Sequence, residues 1–88
     1  MTPVAPTDNH TLALLALAST LSDERRASRF LDLTGLSPDG IRETIGDTTT
    51  LTACLTFLGA HEPDLIAVAA AIGAKPEQLV AARAELDR

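Results

Sequence analysis

The chain has no tryptophan and no tyrosine, and two phenylalanines are its whole aromatic content. Valine and isoleucine are scarce too, so the residues that favour a pleated strand are mostly missing. In their place stand 14 leucines and 15 alanines, the best helix formers among the apolar residues. A core without large rings, built on small alanine faces, has to be thin and tightly spaced. Cysteine occurs once. No internal disulfide can form, which points to a reducing compartment.

Positive charge is also in short supply. Seven Lys and Arg stand against 12 Asp and Glu, a formal net charge of −5. Residues 1–44 carry four Arg and six acids, residues 45–88 three cations and six acids, so neither half is basic. Such a chain repels a phosphate backbone unless its few cations cluster. Long apolar runs are missing as well. The longest, Leu65 to Ala74, is about half a membrane span. "ALAS", Ala16 to Ser19, resembles a signal-peptidase site behind the apolar run Leu12 to Ala18, but residues 2–11 hold no Lys or Arg and do hold Asp8. A secretory signal needs cations there. The expectation is a cytoplasmic protein that does not enter a membrane.

Eighty-eight residues make one small domain with a thin stability margin. "MTPVAP", residues 1–6, reads as a flexible N-terminal arm; residues 7–88 read as a single all-helical domain. Thr7, Asp8 and Asn9 offer caps for a first helix running to about Leu21. Its leucines fall on two sides, with Leu14, Leu17 and Leu21 expected inward and Leu12 and Leu15 outward. Ser22 is expected to open a second helix with inner face Ala27, Phe30, Leu31 and Thr34, ended by Gly35. Ser37-Pro38 start a short third helix, with Ile41 and Ile45 inward and Gly46 as its stop. In the fourth, capped by Asp47 or Thr48, Leu51, Cys54, Leu55 and Leu58 recur at i, i+3, i+4, i+7, with Thr49, Thr52 and Thr56 opposite. Pro63 starts a fifth, apolar all round from Leu65 to Ile72 and therefore expected to be the central, most buried element. Pro76 opens a sixth with the stripe Leu79, Ala82 and Leu86.

One junction is written twice. "TGLSPDGIRE" at residues 34–43 and "IGAKPEQLVA" at residues 72–81 share a Gly, two spacers, a Pro, two spacers and an apolar residue. A shift of 38 residues sets Gly35 on Gly73, Pro38 on Pro76 and Ile41 on Leu79. The fold class follows: all-α, a compact six-helix bundle of two three-helix halves with Gly-x-x-Pro corners.

These corners also resemble a helix-turn-helix. The helices that would meet DNA offer Asp39, Gly40, Arg42 and Glu43, or Glu77, Gln78, Arg83 and Glu85, which are mixed or acidic faces. Base readout relies on Arg, Lys, Asn and Gln backed by phosphate contacts. Nucleic acid is therefore not an expected partner. Arg25, Arg26 and Arg29 are the densest positive charge; they could grip an acidic partner or a phosphate, or form a solvated face balanced by Asp23, Glu24 and Asp32. Cys54 on an inward stripe reads as a small buried apolar residue. His61 lies seven residues after it, and two ligands do not make a zinc site; His61 reads as a cap for the end of the fourth helix. No nucleophile elbow, phosphate loop or histidine pair is present, the acids look scattered on the solvent side, and so thin a domain leaves little room for a ligand cleft. No catalytic residue, metal, cofactor or small-molecule substrate is inferred.

The segments "RFLDLTGLSP" at 29–38, "FLGAHEPDL" at 57–65 and "GAKPEQL" at 73–79 resemble a family of short, acidic, all-helical alphaproteobacterial proteins known only as a domain of unknown function. The resemblance spans about residues 10–85 and implies a helical fold and a bacterial cytoplasmic origin, but no activity. The function expected is a non-enzymatic interaction or self-associating module. Its partner surface is placed at Leu12, Leu15, Arg25 and Arg29, and its partner is an unknown protein or a second copy. The alternative is a helix-turn-helix-like nucleic-acid-binding regulator.

Overall fold

The computed structural model describes residues 8–87; the expected arm at residues 1–6 lies outside them. Six helices follow in order: α1 (Asn9–Ser22), α2 (Glu24–Thr34), α3 (Pro38–Thr44), α4 (Thr48–Gly59), α5 (Glu62–Ala71) and α6 (Pro76–Leu86). They fill a body of 35 × 27 × 23 Å.

The helix ends are set by local chemistry. The Asp8 carboxylate accepts from the His10 and Thr11 amides at 3.2 and 3.3 Å and from the Thr11 hydroxyl at 2.6 Å, which starts α1. One residue, Asp23, separates α1 from α2; it closes the first in an extended conformation and caps the second by accepting from the Arg26 amide at 2.9 Å. The cap expected at Ser22 thus moves by one residue, because the Ser22 hydroxyl donates back to the Ser19 carbonyl and stays in α1. Gly35 and Gly73 both take φ of 73°, the left-handed region where a side chain is costly. Each lets its helix fold back on itself, through Gly35 N–H to the Leu31 carbonyl (2.9 Å) and Ala74 N–H to the Ala69 carbonyl (2.8 Å). The next helices start with different polar groups. The Ser37 hydroxyl accepts from the Gly40 amide at 3.0 Å, whereas the Gln78 side chain reaches back to the Lys75 amide at 2.8 Å.

The centre of the bundle is α1, not α5. α1 packs against α2, α4, α5 and α6, burying Leu12, Ala13, Ala16, Leu17 and Thr20. That face is rotated from the leucine stripe expected from the sequence: Leu12 is buried in the core at 2% exposure, while Leu14 and Leu21 sit at its margin. The reason is size. Ala13 and Ala16 are fully enclosed, and a helix turning small residues inward can be approached by several neighbours at once. α5 lies at the edge. Leu65, Val68 and Ala69 face in, but Ile66 is 51% exposed and Ala67, Ala70 and Ala71 face out. An exposed alanine leaves little apolar area in water, so an all-apolar sequence does not require an all-buried helix.

α4 follows its expected stripe, with Leu51, Cys54, Leu55 and Leu58 buried. Phe57 joins them and meets Phe30 of α2 edge-on, ring centres 5.5 Å apart, a favoured aromatic geometry. The two corners place their second helices differently. α6 is deep, with Leu79 and Ala82 enclosed, whereas α3 is peripheral and anchored by Ile41. α3 ends at Thr44, before the expected stop at Gly46, and Ile45 is 47% exposed although its spacing predicts an inward position. Two hydrogen bonds tie this end down: the His10 ring to the Gly46 carbonyl at 3.0 Å, and the Thr50 hydroxyl to Thr44 Oγ1 at 2.8 Å.

Gly35 has no neighbour within 4 Å of a built side chain, so Gly35→Ala costs backbone strain alone, about 1 kcal/mol. Gly46 is equally open but lies outside the left-handed region, so Gly46→Ala stabilises by about 0.5 kcal/mol through the unfolded chain. Urea unfolding of the two variants should therefore shift in opposite directions.

The Thr11 hydroxyl and the His10 amide hold the Asp8 carboxyl below the usual aspartate range, and the Arg26 amide does the same for Asp23. A depressed carboxyl adds stability above its unfolded pKa of about 3.9 and loses it as pH falls through the lower folded value. The urea midpoint should therefore fall on acidification below about pH 4, and an Asp8→Asn/Asp23→Asn double variant should show a shallower fall.

Candidate interaction surface

The four residues expected to form a partner surface are not brought together. Leu12 is in the core and cannot present to a partner. Leu15 is 40% exposed on the outer side of α1. Arg25 and Arg29, with Ser28, line an open depression of about 480 Å³ on the outer face of α2, which Leu15 does not share.

The arginine cluster does more than sit in water. Asp64, in the first turn of α5, is 7% exposed, not on the solvent side where the acids were expected. Arg26 Nε lies 3.2 Å from its Oδ1, and Arg29 Nη2 donates to Oδ1 at 3.0 Å while lying 2.8 Å from Oδ2. The Arg26 side chain is itself 14% exposed. The carboxylate also sits where the N-terminal end of the α5 dipole favours an anion. Two cations of α2 therefore clasp one buried acid of α5, across a gap of more than 30 residues that no local pattern reveals.

Cys54 and His61 are each committed to a separate partner. The Cys54 sulfur is 3.5 Å from the Thr20 hydroxyl, which also donates to the Ala16 carbonyl at 2.8 Å. Burial pushes the Cys54 thiol up to about 11, so it is a neutral, enclosed group at pH 7. His61 Nδ1 bonds the Phe57 carbonyl at 2.8 Å, closing the end of α4 as its position predicts, and its ring lies against Phe57 at 4.7 Å.

The surface holds more concave space than so thin a domain leads one to expect, in open grooves. One of about 300 Å³ runs between α2 and α3, lined by Leu21, Leu31, Ile41 and Ile45 with Arg42 at its rim. A larger one, about 530 Å³, lies between the end of α2 and the threonine side of α4. Leu33 stands at its edge, Phe57 and His61 close one end, and Thr49, Thr52 and Ala53 lie along α4. No Asp, Glu, Lys or Arg lines it. Leu33 is 65% exposed, the highest among the large apolar side chains left in water. Thr52 Oγ1 is shielded from solvent and has no hydrogen-bond partner, unlike Thr20, Thr34 and Thr44, whose hydroxyls all donate to a carbonyl four residues back. Sequence reading missed Leu33. The available signal was an apolar residue outside the stripe of Ala27, Phe30, Leu31 and Thr34, just before the glycine corner.

Among the described residues no single helix is long and apolar enough to cross a membrane; α5 and α6 reach that length only as a pair bent by 100°. Residues 6–88 match the model of a family described as "Protein of unknown function (DUF3572)". No curated protein and no solved structure matches the chain.

Removing the clasped charge should be felt in stability. Asp64→Asn leaves the half-hidden Arg26 guanidinium without its counterion and should destabilise by about 2 kcal/mol. Arg29→Ala should cost about 0.5 kcal/mol, because that side chain is 52% exposed and its pairing is screened. Chemical denaturation of both variants checks the order.

Proposed function

The chain belongs to the DUF3572 family, and from that premise we propose that it is a non-enzymatic protein-interaction module whose contact surface is the α2–α4 groove. One observation carries this reading: an uncharged groove of about 530 Å³ with a leucine 65% exposed at its edge. A small chain that carries 22% charged residues has ample means to cover its surface with charge, and a neutral apolar face on such a molecule marks a contact site. The groups with catalytic potential support the same reading. Asp64 is neutralised by two guanidiniums, Cys54 is buried as a thiol, and His61 is spent on a backbone carbonyl. A lone enclosed cysteine fits a reducing interior, so the proposal includes the cytoplasm of a bacterium as its place of action.

The nucleic-acid reading has one specific feature in its favour, the 100° bend between α5 and α6 at a left-handed glycine. It is the weaker of the two. The outward residues of α6 include Glu77, Gln78 and Glu85, and Arg83 donates to the Thr56 hydroxyl at 2.9 Å. Such a face gives few of the phosphate contacts on which non-specific affinity depends.

Leu33→Asp tests the proposal. The side chain is mostly in water, so the melting curve should stay within about 0.5 kcal/mol of wild type. Affinity capture from the cell of origin, run side by side with both proteins, should lose its specific partner in the variant. Identical capture profiles would count against the groove.

A further inference from the structure

We propose that the partner is an acidic segment of another protein, held through carboxylates by Arg25 and Arg29 and through an apolar side chain by Leu33. The proposal rests on the interaction reading above and gives the partner its chemistry. The three residues are spaced i, i+4 and i+8 on α2, so they lie along one side of the helix at steps of about 6 Å. All three are exposed. From the N-terminal end, this ridge runs cation, cation, leucine. Arg25 and Arg29 share the open depression of about 480 Å³ with the Ser28 hydroxyl, and Leu33 stands at the edge of the uncharged groove. A segment that carries two carboxylates and an apolar residue at the same steps meets each of them in turn.

The clasp around Asp64 prepares Arg29 for a second anion. Asp64 engages only Nη2 of that guanidinium, a group with five N–H donors, and 52% of the side chain is still in water. Donors remain for another acceptor on a side chain already held in place, and an ordered group loses less freedom on binding. Among the described residues Arg25 has no ion pair. The nearby acids leave both cations open: Asp23 accepts from the Arg26 amide, and the exposed Glu24 and Asp32 pair with neither arginine. Other anions fit less well. A phosphate site draws on the free amides of a helix N-terminus, and Asp23 caps that end of α2. Nucleic acid and an anionic membrane are held by longer runs of cations. The rest of the chain, with net charge −5, repels an acidic segment too, but salt screens that repulsion beyond about 8 Å. It therefore confines the segment to this ridge.

NMR titration of the labelled full chain tests this. The probes are an alanine-based helical peptide carrying Glu, Glu and Leu at four-residue steps, its Lys, Lys, Leu counterpart, and inorganic phosphate. The acidic peptide should shift the amides of Arg25, Ser28, Arg29 and Leu33. It should bind at least about tenfold tighter than the lysine peptide, a difference of about 1.4 kcal/mol. Arg25→Glu, at an exposed position, should weaken it about tenfold by placing like charges together, with circular dichroism confirming the fold. Arg42→Glu, on the rim of the α2–α3 groove, should leave binding intact. Raising sodium chloride from about 50 mM to about 500 mM should weaken it several-fold. Equal binding of the two peptides, shifts that phosphate alone reproduces, indifference to Arg25→Glu, or no binding of the acidic peptide at about 1 mM overturns the proposal. Capture from the cell of origin keeps the two claims apart. A specific partner that Leu33→Asp loses and Arg25→Glu retains removes the acidic segment and leaves the interaction reading in place.

Discussion

Everything in this fold depends on how closely α1 can be approached. Its inner face is set by Ala13 and Ala16, which have no exposed surface, alternating with Leu12, Leu17 and Thr20. Large side chains there would hold the neighbouring helices apart. With methyl groups, α1 can touch α2, α4, α5 and α6, and a chain with almost no aromatic residues still closes a dry centre. The two rings it does have lie where α2 and α4 meet. Interiors packed to crystal-like density tolerate little change of volume, so the same economy that builds the core also makes it unforgiving at the alanines.

Around that centre, polar chemistry is used to fix directions rather than to supply bulk stability. Asp23 ends one helix and starts the next with no intervening residue. Asp64 joins α5 to α2 through two arginines. A buried ion pair of this kind adds little net stability over an apolar contact. Its directional hydrogen bonds tie the first turn of α5 to α2. Arg26 is largely hidden by this pairing, whereas Arg29 keeps half of its side chain in water and shares the outer face of α2 with Arg25.

Much of this was legible in the chain because it is local. Helix number and type, the two glycine corners, the α4 stripe, the enclosed Cys54 and the capping role of His61 all follow from spacing within a few residues. What was not legible is tertiary. The leucines of α1 suggested an inward face that its alanines override, because a pattern read by side-chain size misses a core built on closeness. The all-apolar run of α5 suggested burial, yet alanine is indifferent to water and the helix sits at an edge. The Arg26–Arg29–Asp64 clasp joins residues 35 and 38 apart in sequence, and Leu33 became a surface feature only once α2 had been oriented by Phe30.

The light attachment of α3 has a consequence of its own. This helix of seven residues is pinned by one enclosed side chain, Ile41, with two hydrogen bonds holding its far end. Regions with few buried contacts open at a small fraction of the global unfolding free energy. Amide protons between Pro38 and Thr44 will exchange with solvent well before those of α1 or α4, and a protease will make its first cut there. The molecule thus pairs a lightly held segment with a firmly packed trunk, and local opening of that segment leaves the core stripe of α4 in place.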